Sequence, residues 1–147
     1  MGRDRSGRGK LERKENTREE RKPVVLAELI VFSFKHLEES QPKDDPQTLQ
    51  VWQQEKLFPA LLTRLKELSR LTRDEAVKQQ LIKVYGDFPP RSDFTAPSHI
   101  DKNVAWGVIK GVGGQRGTVA GYMIENTFYV VFLDKDHRFW ITEKKNT

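Results

Sequence analysis

Residues able to do chemistry gather at the turns of the last third of the chain. Asp134-Lys-Asp-His137 sets an imidazole among carboxylates, the residue types of a general acid or base or of a group facing phosphate. The same residues are ordinary turn formers. Val112-Gly-Gly-Gln-Arg-Gly117 is rich in glycine and ends in a cation, so Lys110 and Arg116 flank a backbone that can approach a phosphate closely. It is neither of the common nucleotide loops: a dinucleotide fingerprint needs glycine where Arg116 stands, and a phosphate loop needs Gly-Lys followed by Ser or Thr. No helix follows either, so a flexible turn between strands is the plainer reading. The carboxylates beside His137 point in different directions along a strand end, and neither a metal nor another cofactor is expected.

Four aromatic residues, Trp106, Tyr122, Tyr129 and Trp140, are stacking groups for nucleobases if exposed and core if not. Core is the better reading for Trp106 and Tyr129. Tyr122 is more open, since Thr118, Ala120 and Tyr122 alternate with Val119, Gly121 and Met123. His36 and His99 lie in connections and read as incidental. Ser98-His99 is no triad fragment, because no nucleophile elbow is present.

The elements that must position these groups begin after Pro23, where Leu29 to Phe34 reads as a buried strand. Glu38 to Pro46 is loop chemistry. From Gln47 to Leu71 the residues Leu49, Trp52, Leu57, Leu61, Leu65 and Leu68 mark an amphipathic helix, which Pro59 either kinks or divides. Thr72-Arg-Asp-Glu75 is a capping box, so a further helix is expected to about Val84, and the two pack as a hairpin. A long surface connection, Gly86 to Asn103, leads to strands at about Ala105 to Lys110, Gly117 to Ile124, Phe128 to Leu133 and Arg138 to Thr142. Glu125-Asn126 is a two-residue hairpin turn, with Asn tolerating positive φ. Phe128 to Leu133, apolar on both faces, is a central strand. The expected fold class is α+β: an N-terminal strand, a helical hairpin, then a three- to four-stranded antiparallel meander, all in one twisted sheet.

With 147 residues and 36% hydrophobic content the chain fits one small domain, taken as residues 23–147. The formal charge of +5 is uneven. Met1 to Lys22 holds nine of the 26 Lys and Arg and five of the 21 acids, leaving 17 against 16 in the remainder. Residues 1–22 are therefore expected to form a disordered basic tail, with Arg3, Arg5, Arg8 and Lys10 available to nucleic acid or serving only for solubility. Cysteine is absent, which excludes disulfides and thiolate chemistry. The start lacks a secretory signal, and no stretch approaches the roughly 18 apolar residues of a membrane span, so a cytoplasmic protein with no membrane partner is expected.

Element order, together with Tyr129-Val-Val-Phe-Leu-Asp134 followed by His137-Arg-Phe-Trp140, resembles the small bacterial toxins of the RelE/ParE superfamily over roughly Leu29 to Thr142. The ending is also similar to that of bacterial and mobile-element proteins with a Val-Phe/Trp-Leu-Asp-x-Asp-His segment, from which no activity carries over. The toxin resemblance implies a metal-independent, ribosome-dependent mRNA endonuclease of a toxin–antitoxin system, with RNA or the ribosome as target and an antitoxin protein as partner. Lys110 and Arg116 would then stabilise the scissile phosphate, and His137 or Tyr122 would move protons. Arg138, with Lys135 beside it, would hold the RNA backbone. The long connection and basic tail depart from the minimal toxin pattern, and some members act on gyrase. The competing reading is a non-enzymatic nucleic-acid-binding or protein-inhibitor module.

Overall fold

The structure, a computed structural model, describes residues 28–112 and 116–141. The tail with Arg3, Arg5, Arg8 and Lys10 lies outside the described residues, as do positions 113–115 of the glycine-rich turn. Among the described residues no helix is long and apolar enough to cross a membrane.

Three short helices replace the expected hairpin. The first, α1 (Leu49–Gln54), starts where the Thr48 side chain accepts a hydrogen bond from the Val51 amide. It stops before Lys56, which takes a φ of 58°. Pro59 then sits in the first turn of α2 (Phe58–Leu68), where its missing N–H costs nothing, so the proline divides the helix and does not kink it. The capping box is formed as read: Thr72 Oγ1 accepts from the Glu75 amide, and the Glu75 carboxylate accepts from the Thr72 amide. The helix it opens, α3 (Arg73–Lys78), is shorter than expected. Gln80 turns the chain with a φ of 61°, and Ile82–Gly86 becomes a strand, β2. A good cap starts a helix but does not lengthen it: α3 buries only Ala76, whereas the β-branched and aromatic run Ile82-Lys-Val-Tyr85 finds a strand partner.

The sheet has five strands: β1 (Val31–Ser33), β2, β3 (Ala105–Lys110), β4 (Thr118–Ile124) and β5 (Thr127–Asp134), in the order β1-β5-β4-β3-β2. The last four form an antiparallel meander, but β1 lies parallel to β5, so the sheet is mixed. Instead of a buried strand over Leu29 to Phe34, β1 is a three-residue edge: Ile30 is buried while Val31 is 51% exposed. The expected strand from Arg138 is absent over residues 138–141, because the chain curls back on the Asp134 carboxylate. Glu125-Asn126 makes the two-residue turn between β4 and β5, with the positive φ at Glu125.

Both faces of the sheet are covered. On one, Trp52, Leu61, Leu65 and Leu68 of the helices meet Ile109, Val119, Phe128, Val130 and Leu133. On the other, the connection between β2 and β3 lays Phe94 and Ile100 over Trp106, Val108, Tyr122 and Phe132, with Phe139 closing the layer. Each such side chain stabilises the fold by about 1.5–3 kcal/mol on leaving water. A bulge in β5 puts Val131 and Phe132 on the same face, and Gly121 of β4 meets it: a Cβ there would overlap the Tyr129 carbonyl.

Candidate functional site

Parallel pairing of β1 with β5 is interrupted in a way that builds a site. Ser33 pairs with Tyr129, and pairing resumes at Glu38 with Phe132, so four residues on one side face two on the other. The excess is thrown outward as a tight turn, closed by a 3.1 Å hydrogen bond from the Leu37 amide to the Phe34 carbonyl. Lys35 and His36 occupy that turn.

His99 approaches from the connection, in the turn that the Ile100 amide closes on the Pro97 carbonyl. The two imidazole rings stand 5.0 Å apart, centre to centre. Beneath them Tyr122 and Tyr129, cross-strand partners on β4 and β5, stack at 4.7 Å and 12°. Their rings lie 6.4 and 6.5 Å from that of His36. The Lys35 ammonium sits 5.4 Å from the Tyr129 ring centre, a cation–π contact. His99 is exposed, His36 and Tyr129 are half-buried, and Tyr122 is 4% exposed.

The loop that carries His99 is tied down. Gln41 donates from its amide to the Thr95 carbonyl at 3.1 Å and accepts from the Thr95 amide. Arg138 adds ion pairs of 2.6 Å to Asp93 and 2.9 Å to Asp44, and the Asp93 amide donates to the Arg138 carbonyl. The Asp44 and Asp93 carboxylates hold the Arg138 guanidinium further up than its already high value.

The electrostatics separate the groups by role. Desolvation, then the neighbouring Lys35 and His99 charges, push the His36 imidazole below its ordinary value, which favours the neutral ring with a lone pair to accept a proton. Burial, then Tyr129, raises the Tyr122 hydroxyl, leaving it a protonated donor.

The residues expected to form a site are divided between the two ends of the sheet. Lys110 pairs with Thr118, and Thr118 with Asp134, so Lys110, Arg116 and the Asp134 to Arg138 turn share one end. Tyr122 lies four residues along β4 from Thr118, about 13 Å at the usual strand rise, and is buried, contrary to the openness its alternation suggested. Arg138 and Lys135 are engaged internally, Lys135 pairing with Asp136 at 3.0 Å, Glu55 at 3.6 Å and Asp45 at 3.7 Å. His137 is half-buried with a φ of 60°, and its charge lowers the Asp134 carboxyl against the larger effect of that carboxyl's burial.

Asp134 itself is structural. Its carboxylate accepts from the amides of Arg138 and Phe139, each at 2.8 Å, and from Thr118 Oγ1 at 3.3 Å, although burial still raises it. Trp106 is buried in the covered face as read, whereas Tyr129 is only half-buried against it. Among the described residues no three His, Asp or Glu side chains are grouped as a metal would require.

Sequence reasoning passed over His36 and His99, since neither sits in a motif and nothing local links them. The one available signal was that His36 directly follows a strand, where a chain leaving a sheet often places functional groups. No protein-family profile, curated relative or solved structure matches the chain.

Proposed function

We propose that the chain is a toxin-like RNA endonuclease that needs no metal and whose centre is the His36–His99 pair. The supporting observation is two imidazoles 5.0 Å apart, one held toward its neutral form, beside a lysine and over two tyrosine rings. His36 takes the proton of an RNA 2′-hydroxyl, and the 2′-oxygen attacks phosphorus. The bond from phosphorus to the 5′-oxygen breaks as His99, in its imidazolium form, donates a proton to the departing oxygen. The products are a 2′,3′-cyclic phosphate and a 5′-hydroxyl. Lys35 supplies positive charge where the phosphorane oxygens become more negative. Lys110 and Arg116, which have no ion pair among the described residues, lie at the far end of the sheet and serve to hold flanking phosphates.

The test is cleavage of oligoribonucleotides and of mRNA in a translating extract, both with EDTA present, and mass spectrometry of the ends. The wild type is expected to leave cyclic phosphate termini, and His36→Ala or His99→Ala to lose about 10²- to 10⁴-fold in rate. Absence of cleavage in both substrates, or full activity in both variants, overturns the reading.

A protein-binding or inhibitor module is the second reading, and the outer edge of β1 favours it. Leu29 and Val31, just before and at the start of this edge strand, are 40% and 51% exposed. That reading predicts a stable complex with an antitoxin or host protein that survives His36→Ala and is lost with Val31→Lys.

A further inference from the structure

We infer that a cleft beside His99 seats one nucleobase of the RNA and prefers guanine. This rests on the proposed function, for which it supplies the base subsite. Ser98 and Ile100, the neighbours of His99, both line the cleft, so the loop that presents the imidazole also forms the seat. On the sheet side the cleft reaches Trp106, whose ring is 5.6 Å from that of Tyr122, itself 6.4 Å from His36. Base seat and imidazole pair are thus joined twice, through one loop and through one row of rings.

Size and walls select a single planar group. The cleft measures about 180 Å³, below the roughly 300–1,000 Å³ of sites that hold a drug-sized molecule. Phe88 is half-exposed and stands edge-on to Trp106 at 4.9 Å, and Pro97 adds an apolar wall. Single-stranded RNA is read by such surfaces, on which an unstacked base rests while its Watson–Crick edge is hydrogen-bonded.

The rim selects among the bases. Asp101 lines the cleft, and its Oδ1 accepts from the Asn103 amide at 2.7 Å, a local turn that fixes the carboxylate. An ionised carboxylate only accepts, and it keeps free lone pairs on both oxygens. Guanine offers two adjacent donors, N1–H and the N2 amino group. Adenine and cytosine present an acceptor beside their amino group, and uracil has one donor between two carbonyls. The same negative charge repels a phosphate, so the group seated at Asp101 is the base. Lys102, also on the rim, is exposed and carries the charge that suits the attached phosphate.

The full-length protein is titrated with the 3′-monophosphates of guanosine, inosine, adenosine, cytidine and uridine, and the indole N–H signals are followed by NMR. The Trp106 signal is expected to move, with guanosine bound about tenfold more tightly than the others, and inosine, which lacks the N2 amino group, weakened toward them. Asp101→Asn, which retains an acceptor for the Asn103 amide, is expected to remove the guanine preference. Equal affinity for guanosine and inosine in the wild type, no movement of Trp106, or a preference that survives Asp101→Asn overturns the inference. Cleavage is measured on the same preparations. Guanine binding without cleavage sinks the proposed function and leaves the seat standing, whereas cleavage indifferent to the base does the reverse.

Discussion

The two ends of the sheet carry opposite lessons. One end, where β3 meets β4 and β5 closes, is crowded with charge: Lys110, Arg116, Asp134, Lys135, Asp136, His137 and Arg138. Most of that charge is used internally. Arg138 joins Asp44 and Asp93, Lys135 joins three acids, and Asp134 accepts hydrogen bonds from two backbone amides. Toward the other end His36 contacts His99, Tyr122 and Tyr129, and His36 is perturbed by its surroundings. Local density of polar residues is therefore a poor guide to a site: at the crowded end the fold brings Asp44, Asp93, Asp45 and Glu55 onto Arg138 and Lys135, whereas elsewhere it sets two imidazoles side by side.

The largest effect that tests this contrast is on rate. His137→Ala and Arg116→Ala are expected to leave cleavage within about tenfold of wild type, against the 10²- to 10⁴-fold losses expected at His36 and His99. Single-turnover rates on one oligonucleotide check it, and a loss at His137 as large as at His36 would move the centre to the crowded end. Next in size is stability. Asp134→Asn turns an amide NH₂ toward one of two backbone donors, and urea unfolding is expected to show a loss of about 1–3 kcal/mol.

The smallest effect is on pH dependence. Because the His36 value lies below the ordinary imidazole value of about 6.5, the neutral ring is the majority form at that pH, and the acid limb of the rate profile falls below it. Lys35→Ala removes one cause of the depression, so the limb moves upward. The same shift sets the sign for stability: the neutral ring favours the fold above the unfolded value, and that contribution is lost as pH falls through the folded one. Rate profiles of wild type and Lys35→Ala between pH 4.5 and about 8 decide it, and an unmoved limb would remove His36 from the base role.

Local chemistry was legible in the sequence. Thr72 and Glu75 formed their box, Pro59 opened a helix, and Glu125-Asn126 turned the hairpin, because each depends on residues within one turn. Strands β3, β4 and β5 were found from alternation and apolar runs. β2 was missed because Ile82-Lys-Val-Tyr85 continues a plausible helical spacing, and only pairing with Val108 and Ile109 decides for the strand. The same limit hid the imidazole pair: its proximity depends on the outward turn after β1 and on the course of the connection, and neither is written in the spacing of His36 and His99.

Parallel pairing of the first strand with the last has a consequence for synthesis. β1 emerges early from the ribosome but finds its partner only when Thr127 to Tyr129 have followed, and Glu38 waits for Phe132. Contacts of such wide sequence separation form late, after the loop-closure entropy of the intervening chain has been overcome. His36 is thus made first and equipped last. A nascent chain of this protein therefore carries His36 through most of translation without Tyr122, Tyr129 or His99 beside it, and the cluster exists only once β5 has been made and paired.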